Sequence, residues 1–331
     1  MREPGVLLAI DAGGSHTRAV VVSADADCLG YGASTGGNAT AVGADRALAA
    51  LAEAASTALT TAALGPEAVG QVVLAAAGEE YLLNERTVTQ ALAVPAAEYT
   101  RASDILAMYH SSAVEPAGVA LVAGTGAVAG RFRNLVTERR VDGTGWLLGD
   151  RGSGFWIGRK IVRAVAADLD EAGEPTELTR LVVEELGLEP AQGDRSALLA
   201  ALVSWAYNGQ PVRLARLAPL AFRAEATDEQ AAAITAEAEL ALARTLRLVR
   251  DGHDELPVVL GGSVVVQGVL RPGRPSGGAL KRELAGADVR TAHDGVAGAA
   301  IVGLLHSNAV VDSDTLARLT RSIDELRAAS S

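Results

Sequence analysis

The strongest constraint on the fold is an arrangement that occurs twice along the chain. Near the start, the apolar run Val6–Ile10 leads into the turn Asp11-Ala12-Gly13-Gly14-Ser15 and then into a second β-rich run. Near the middle, the apolar run Val119–Ala123 leads into Gly124-Thr125-Gly126 and again into a β-rich run. Short apolar runs separated by glycine turns are typical of strands joined by hairpins. The two copies share organisation and not residue identity, and they predict two similar domains that each open with a hairpin.

Helical patterns alternate with strands along the rest of the chain, so the predicted class is α/β. A chain of 331 residues is long for one core and suits two domains. We place the first domain at residues 1–115 and the second at residues 116–304. A C-terminal helix within residues 305–331 is expected to pack back on the first domain.

The composition is that of a globular protein, and it limits the partners. Hydrophobic residues make up 49% of the chain, and the formal net charge is −11. Because an acidic surface repels phosphate backbones and anionic lipid headgroups, we expect no nucleic acid and no membrane as a partner. Cys28 is the only cysteine, so an intrachain disulfide is excluded, and a reducing cytoplasm is the expected location.

The first glycine turn has the chemistry of a phosphate cradle. Gly13 and Gly14 lack a Cβ, which lets the backbone approach a ligand, and successive N–H groups in such a turn bind anions. Ser15 and Thr17 add hydroxyl groups, and Asp11 ends a strand, where its carboxylate can hold a hydrated Mg²⁺. A plain hairpin connection explains the same residues, since Gly-Gly is a common hairpin turn.

Two further glycine turns follow apolar strands. Gly124, Thr125 and Gly126 can bind phosphate in the same way, and together with the first turn they can hold a polyphosphate from both sides of a cleft. Gly261-Gly262-Ser263 is a turn that allows close approach before a helix, which is a weak signal because many α/β loops share it.

A glycine-rich loop spans residues 143–154. Glycines this dense leave a segment disordered unless it packs or binds something. Trp146 provides an apolar face and Asp150 a hydrogen-bond acceptor, and the two together suit a polyhydroxylated ligand. The alternative is a linker between a strand and a helix.

Asp104 follows Ser103 at the start of a predicted helix. A carboxylate at this position can accept a proton from a substrate hydroxyl. Asp and Ser also cap helices routinely, and the residues alone favour capping.

Several common catalytic motifs are absent from the sequence. A P-loop requires lysine after glycine, and the two lysines, Lys160 and Lys281, follow arginine and leucine. The dinucleotide pattern Gly-x-Gly-x-x-Gly and the zinc spacing His-x-x-x-His are also missing. Residues 32–36 match the Gly-x-Ser-x-Gly elbow of serine hydrolases, but that elbow enters a helix directly, and here a helix is expected only near Asp45.

In their order along the chain, these motifs resemble the N-acetylglucosamine kinase branch of the BadF/BadG/BcrA/BcrD ATPase-like family. The resemblance covers most of the chain and implies the fold of acetate kinase, sugar kinases, Hsp70 and actin. That fold has two actin-like (ribonuclease H-like) domains with an interdomain cleft. The matching segments are residues 11–15, 34–38, 103–104, 124–126, 145–153, 261–263 and 294–300.

The resemblance implies a role for each matching position. Asp104 is expected to take the proton from the sugar hydroxyl, which reverses the capping interpretation, and Asp11 is expected near the metal. Phosphate contacts are expected from Gly13, Gly14, Ser15, Gly124, Thr125 and Gly126. Adenosine contacts are expected from Gly261, Gly262 and Ser263. Sugar contacts are expected from Asn38, Gly145, Trp146 and Asp150.

The implied activity is transfer of phosphate from ATP, with Mg²⁺, to the 6-hydroxyl of an amino sugar, most simply N-acetylglucosamine. Glucosamine stays the alternative, since a protonated amine needs a nearby carboxylate whereas an acetamido group needs a small apolar pocket. Arg151 stands where the family has Glu, which changes the charge beside the sugar. Gly295 stands where the family has Pro, which changes a helix start. An ATPase activator of radical dehydratases needs paired cysteines for its iron–sulfur cluster, and Cys28 alone does not supply them. A non-catalytic sugar sensor is a third possibility, and the resemblance implies that a homodimer can form.

Overall fold

The computed structural model describes residues 5–14, 16–76, 83–188, 194–274 and 278–329. Two five-stranded sheets with surrounding helices make up these residues, so the α/β class predicted from the sequence is confirmed. The chain divides into two compact units. The first comprises Met1–Gly118, Phe132–Thr137 and Arg290–Ser331, and the second comprises Val119–Arg131 and Glu138–Val289.

The first sheet is mixed and has a parallel half. Its strands are β1 Val6–Ala12, β2 His16–Val22, β3 Cys28–Thr35, β4 Val69–Ala76 and β5 Glu98–Ala102. They lie in the order β3-β2-β1-β4-β5, with antiparallel pairing among β1, β2 and β3 and parallel pairing among β1, β4 and β5. Because parallel strands end at one edge, the residues that follow β1, β4 and β5 come together there.

The second sheet has the same strand order as the first. Its strands are β6 Ala117–Ala123, β7 Ala127–Arg133, β8 Val136–Asp142, β9 Val258–Gly261 and β10 Val289–Thr291. The order is β10-β9-β6-β7-β8, and β6 and β9 are parallel. If strands β6 to β10 are renumbered 1 to 5 and the sheet is read from its β8 edge, the order is 3-2-1-4-5, as in the first sheet. The repeat seen in the glycine turns is therefore a repeat of topology.

Helices follow most strands and supply the rest of each core. In chain order they are α1 Ala39–Val42, α2 Ala44–Thr61, α3 Glu85–Ala91, α4 Asp104–His110, α5 Gly145–Leu148, α6 Gly154–Leu169, α7 Glu177–Leu186, α8 Arg195–Tyr207, α9 Ala218–Ala224, α10 Glu229–Arg250, α11 Ala279–Glu283, α12 Gly295–His306 and α13 Ser313–Ala329. Short 3₁₀ segments occupy Pro66–Ala68 and Pro211–Leu217, and a π-helical segment occupies Val264–Val269. No helix in the described ranges is long and apolar enough to cross a membrane.

Helix α2 packs very closely on β2 and β3. A Cβ on Gly32 would lie 2.1 Å from the carbonyl oxygen of Ala54, so glycine is required there for the helix to approach. This packing explains the glycine of the false serine-hydrolase elbow. The helix expected near Asp45 is α2, and Asp, although a common N-cap residue, does not cap it here. The N-cap is Gly43, which makes no side-chain hydrogen bond. Asp45 lies in the first turn, where its negative charge interacts favourably with the helix dipole.

Helix α12 is buried from Gly295 to Leu304 and packs against α4, β1 and β4. A Cβ on Gly298 would lie 1.7 Å from the carbonyl oxygen of Ala107, so the two helices touch backbone to backbone. This packing places residues 290–304 in the first unit, whereas the sequence-based limit placed them in the second domain. The predicted interdomain cleft stays a prediction.

The second unit holds a buried ionic network that ties its later segments to α10. Arg274 makes ion pairs with Glu225 and Glu239 at 3.1 and 2.6 Å, and each of the three side chains is at most 2% exposed. Buried charges persist when they are paired and hydrogen-bonded in this way. Glu239 also accepts hydrogen bonds from the backbone N–H groups of Gly278 and Leu280, at 2.7 and 3.0 Å.

Candidate functional site

Two carboxylates of the first unit lie at the carboxyl edge of its parallel strands. Asp11 in β1 pairs with Ala75 in β4, and Ala75 pairs with Ala102 at the end of β5, two residues before Asp104. Burial raises the pKa of Asp11 to about 6, the Arg18 guanidinium opposes this, and the charge of Asp104 adds to it. The predicted metal residue and the predicted base therefore lie at the same edge of the sheet, on strands separated by β4, and their negative charges repel each other.

At the start of α4, one residue caps the helix and the next one is the predicted catalytic base. Ser103 is the N-cap, and its hydroxyl accepts a hydrogen bond from the N–H of Leu106 at 3.2 Å. Asp104 is the first helical residue and is half-buried, and its Oδ1 accepts from the N–H of Ile105 at 2.9 Å. The cap is thus already supplied by Ser103, and the carboxylate of Asp104 is not needed for it.

The first glycine turn is joined to the segment that carries Asn38. The carbonyl oxygen of Gly13 accepts hydrogen bonds from the N–H groups of Gly37 and Asn38, at 3.1 and 3.2 Å. Asn38 in turn caps α1, because its Oδ1 accepts from the N–H of Thr40 at 3.0 Å. Apart from its two chain neighbours, no described residue has an atom within 4 Å of a Cβ added at Gly14, which leaves space beside this turn. Ser15 lies outside the described residues.

Thr17 is fully buried behind the same turn. Its hydroxyl donates a hydrogen bond to the carbonyl oxygen of Thr35 at 2.8 Å. A Cβ on Gly37 would lie 2.4 Å from this hydroxyl oxygen, so the two residues interlock. The hydroxyl proton of Thr17 is therefore used inside the protein, and its predicted phosphate contact stays a prediction.

In the second unit, the second phosphate turn and the predicted adenosine turn are neighbours. The parallel pairing of β6 and β9 places Val122 opposite Gly261, so the chain after each strand emerges at the same edge. Gly262 has φ of +84°, and a Cβ there would lie 2.3 Å from the carbonyl carbon and oxygen of Ala123. Only glycine fits this left-handed position against the backbone that leads into Gly124.

The start of α6 is hydrogen-bonded to the second phosphate turn. The N–H of Gly154 donates to the carbonyl oxygen of Gly124 at 2.7 Å, and the N–H of Phe155 donates to that of Thr125 at 3.1 Å. Ser153 caps the helix by accepting from the N–H of Trp156 at 3.2 Å. The end of the glycine-rich loop is thus fixed to the turn at residues 124–126, whereas Ser263 is exposed beyond β9.

The predicted sugar residues of the second unit lie along the glycine-rich loop. Gly145 begins the single turn α5, and Trp146 is 39% exposed with its ring edge against Phe155, 5.5 Å between centroids. Asp150 is half-buried, and its Oδ1 accepts a hydrogen bond from the N–H of Ala127 at 3.3 Å. The pKa of Asp150 is raised, chiefly by burial. Their sugar contacts stay a prediction.

Sequence reasoning missed a charged pair beside Asp11. Nη1 of Arg18 lies 4.0 Å from Oδ2 of Asp11 and 4.0 Å from Oδ1 of Asp294. Asp294 caps α12 and forms an ion pair with Arg327. The sequence did not indicate this contact, because a two-residue turn at Gly13-Gly14 would place His16 opposite Asp11, whereas the observed register places Arg18 there.

The donor set near Asp11 is compatible with a magnesium ion that is held largely by phosphate. In the part of the chain that the structure describes, no three His, Cys, Asp or Glu side chains gather as a metal centre. Magnesium in phosphoryl-transfer sites commonly takes one or two carboxylates, with phosphates and water as its other ligands. Asp11 fits this role, since its carboxylate is 15% exposed and a second carboxylate is nearby.

Comparison with known proteins identifies the family. The model of the BadF/BadG/BcrA/BcrD ATPase family matches residues 8–303. The chain belongs to this family. A curated relative, the N-acetyl-D-glucosamine kinase of Dictyostelium discoideum, is 30% identical over 287 residues, which cover 80% of this chain and 87% of the relative.

Solved structures support the fold of this BadF/BadG/BcrA/BcrD family member. A candidate N-acetylglucosamine kinase from Chromobacterium violaceum aligns with a TM-score of 0.67 at 23% identity, over 91% of this chain and 99% of the other. A ROK family glucokinase from Streptomyces griseus, solved with glucose and AMPPNP, aligns with a TM-score of 0.51 at 18% identity, over 92% of this chain and 99% of the other. At these identities the similarity establishes the fold alone.

Proposed function

We propose that this protein is an ATP-dependent kinase that phosphorylates the 6-hydroxyl of N-acetylglucosamine. The observation that carries the proposal is the similarity to the Dictyostelium kinase over 80% of the chain. The site adds support, because Asp11 and Asp104 share one sheet edge and the glycine turns follow the equivalent first strands of two equivalent sheets.

In the proposed reaction, Asp104 accepts the proton of the sugar 6-hydroxyl as its oxygen attacks the γ-phosphorus of ATP. The bond between this phosphorus and the oxygen bridging to ADP breaks, and ADP leaves. Asp104 then carries the proton and releases it to solvent. Catalysis rests mainly on position and charge, since phosphoryl transfer needs little covalent help from the protein.

The proposed nucleotide contacts are the glycine turns described above for each unit. Phosphate oxygens would accept hydrogen bonds at the first turn from Gly14 and Ser15, and at the second turn from Thr125 and Gly126. The N–H groups of Gly13 and Gly124 already donate to the carbonyl oxygens of His16 and Gly126, at 2.9 and 3.0 Å, and Thr17 is buried, so these three residues would hold the turns in shape. Gly261, Gly262 and Ser263 would contact adenosine. Asp11 would hold Mg²⁺, which when bound supplies neutralisation of the phosphate charge. Asp11 is suited to this role because its carboxylate lies beside the turn that would bind the phosphates.

The proposed sugar site combines an apolar face with polar contacts. Trp146 offers a ring, Asp150 a carboxylate, Gly145 a position with φ of +83° and no protein atom within 4 Å of an added Cβ, and Asn38 an amide. N-acetylglucosamine is favoured over glucosamine because the curated relative acts on it by name. Arg151 at the end of this loop also disfavours a protonated amine beside it.

Cytoplasmic location and a homodimer are part of the proposal. A kinase that uses ATP needs a compartment that contains ATP, and a chain with a single cysteine suits a reducing compartment. Light scattering coupled to size-exclusion chromatography gives the mass directly. A particle of one chain, 33.7 kDa, would contradict the dimer.

The deciding experiment measures ADP release from ATP and Mg²⁺ with N-acetylglucosamine, glucosamine, N-acetylmannosamine and glucose in parallel. We expect the highest kcat/KM with N-acetylglucosamine, and phosphorus–proton NMR should place the phosphate on C6. ADP release without phosphorylated sugar would point to an ATPase. Binding of sugar without turnover would point to a sensor. A higher kcat/KM with glucosamine would correct the substrate.

A further inference from the structure

One carboxylate closes the loop that carries the proposed sugar residues. Asp142 is the last residue of β8, and its Oδ1 accepts hydrogen bonds from the N–H groups of Gly143 and Asp150, at 2.9 and 2.7 Å. Its Oδ2 accepts from the N–H of Arg151 at 2.9 Å. The same side chain thus holds the first residue of the loop and the two residues at its far end.

The surroundings of Asp142 are built for this contact. A Cβ on Gly149 would lie 2.2 Å from Oδ1 of Asp142, so a residue with a side chain at 149 would displace the carboxylate. Asp142 itself has φ of +64°, a left-handed conformation that Asp and Asn adopt more readily than most residues. Hydrogen bonds to an ionised acceptor are about twice as strong as neutral ones, so the closure is firm.

The closure fixes the conformation of Asp150. This residue has φ of +55°, and its carboxylate is directed at the second phosphate turn, where it accepts from the N–H of Ala127 at 3.3 Å. A Cβ on Gly126 would lie 3.1 Å from its Oδ2. Without Asp142, the N–H of Asp150 loses its acceptor and the left-handed conformation loses its main restraint.

We propose that Asp142 is a positioning residue for the sugar, which it serves by holding the loop at residues 143–151 in the form that presents Gly145, Trp146 and Asp150. This inference rests on the proposed function. It assigns to Asp142 a larger effect on sugar affinity than on ATP affinity, because its hydrogen bonds hold residues 143, 150 and 151 directly, whereas it reaches the second phosphate turn only through Asp150.

The test compares Asp142→Gly with Asp251→Gly. Glycine accepts the left-handed backbone at both positions, and Asp251 has φ of +47° at the end of α10, where it pairs with Arg139. We expect Asp142→Gly to raise the KM for N-acetylglucosamine about tenfold, the equivalent of losing one to two net hydrogen bonds, and the KM for ATP less than about twofold. Asp251→Gly should leave both constants unchanged.

Asp142→Asn is the conservative variant, because it keeps one acceptor oxygen and tolerates the same backbone. It should give a smaller rise in the sugar KM, about threefold, since the two N–H contacts to Oδ1 can stay and the third, from Arg151, would face an amide donor. Hydrogen exchange of a peptide covering residues 143–151, measured without substrates, should be faster in Asp142→Gly than in the wild type, and unchanged in Asp251→Gly.

The outcomes separate the inference from the proposed function. Faster exchange with an unchanged sugar KM, or equal increases in both KM values, would overturn the positioning role while kinase activity stands. Unchanged exchange in a folded Asp142→Gly variant would overturn the closure itself. A wild-type protein that phosphorylates no sugar would overturn the proposed function, and the sugar role of Asp142 with it.

Discussion

The guanidinium of Arg18 lies 4.0 Å from the carboxylate of Asp11, across the hairpin that joins β1 to β2. The same nitrogen is 4.0 Å from Asp294, the cap of α12. Asp11 and Asp294 are 15% and 6% exposed, so two carboxylates that water barely reaches share one cation. Arg18 therefore reduces a repulsion that would otherwise oppose packing of α12 beside the first turn.

Replacing Arg18 by Met should destabilise the protein by about 1–2 kcal/mol, because the poorly solvated Asp11 loses the cation beside it and Asp294 keeps only Arg327. We expect no larger loss of stability, because the Arg18 side chain is 34% exposed and water therefore screens its charge. Arg18→Lys should recover most of the loss. Urea unfolding followed by circular dichroism measures the change.

The control for Arg18 is Arg318→Met in the same unit. Arg318 pairs with Asp27, and both side chains are at least half exposed, so the loss should stay below about 0.5 kcal/mol. Equal losses in the two Met variants would show that the position between Asp11 and Asp294 has no special electrostatic role.

Replacing Asp104 by Asn should reduce kcat by roughly 100-fold or more, because the proposed proton acceptor is lost. Binding of ATP, measured by calorimetry, should stay within about twofold, since the phosphate turns are intact. Asp45→Asn is the matched control, as Asp45 is also an acidic residue in the first turn of a helix and is exposed. Turnover near the wild-type rate in Asp104→Asn would remove Asp104 from the mechanism.

Gly262→Ala should destabilise the protein by about 3 kcal/mol and weaken ATP binding. A side chain there is strained by φ of +84° and also meets the Ala123 carbonyl at 2.3 Å, and the two costs add. Gly252→Ala separates them, because Gly252 has φ of +83° with no atom within 4 Å of an added Cβ. That control should lose only about 1 kcal/mol. Similar losses in both variants would mean that the turn shifts freely.

Much of the fold could be predicted because its signals are local. The strands at Val6–Ala12 and Ala117–Ala123 are apolar runs that end in glycine turns, and such runs need no knowledge of distant residues. Helix α8 carries no comparable signal, because its apolar residues surround it on all sides and no stripe of helical period marks it. The sequence around α9 is equally uninformative, since Pro211 and Pro219 interrupt an Ala-rich stretch.

The site was less predictable because its contacts join residues far apart in sequence. The position of Asp104 beside Asp11 depends on the order of β1, β4 and β5, which no single segment reveals. The sequence predicted that a polar residue caps α4, but it did not show whether the cap is Ser103 or Asp104. The closure of the loop by Asp142 needs a left-handed residue at the end of β8, and only the folded backbone shows it.

His110 makes the stability of the first unit depend on pH. The side chain is 1% exposed, and Nδ1 lies 2.9 Å from the carbonyl oxygen of Ala113, to which the neutral ring donates. Burial lowers the pKa of His110 to about 4, although this hydrogen bond and the charge of Glu115 oppose the shift. In the unfolded chain the group has a pKa near 6.5. Between these values the unfolded state binds a proton that the folded state does not.

Stability from His110 is therefore complete above about pH 7 and is lost as the pH falls toward 4. Lowering the pH from 7.5 to 5.0 should cost about 2 kcal/mol through this residue. His110→Asn can still donate to Ala113 but cannot titrate, so its urea midpoint should fall less than that of the wild type over the same interval. His306→Asn, at an exposed position, should keep the wild-type dependence. If His110→Asn keeps it as well, the buried ring is not the group that responds to acid.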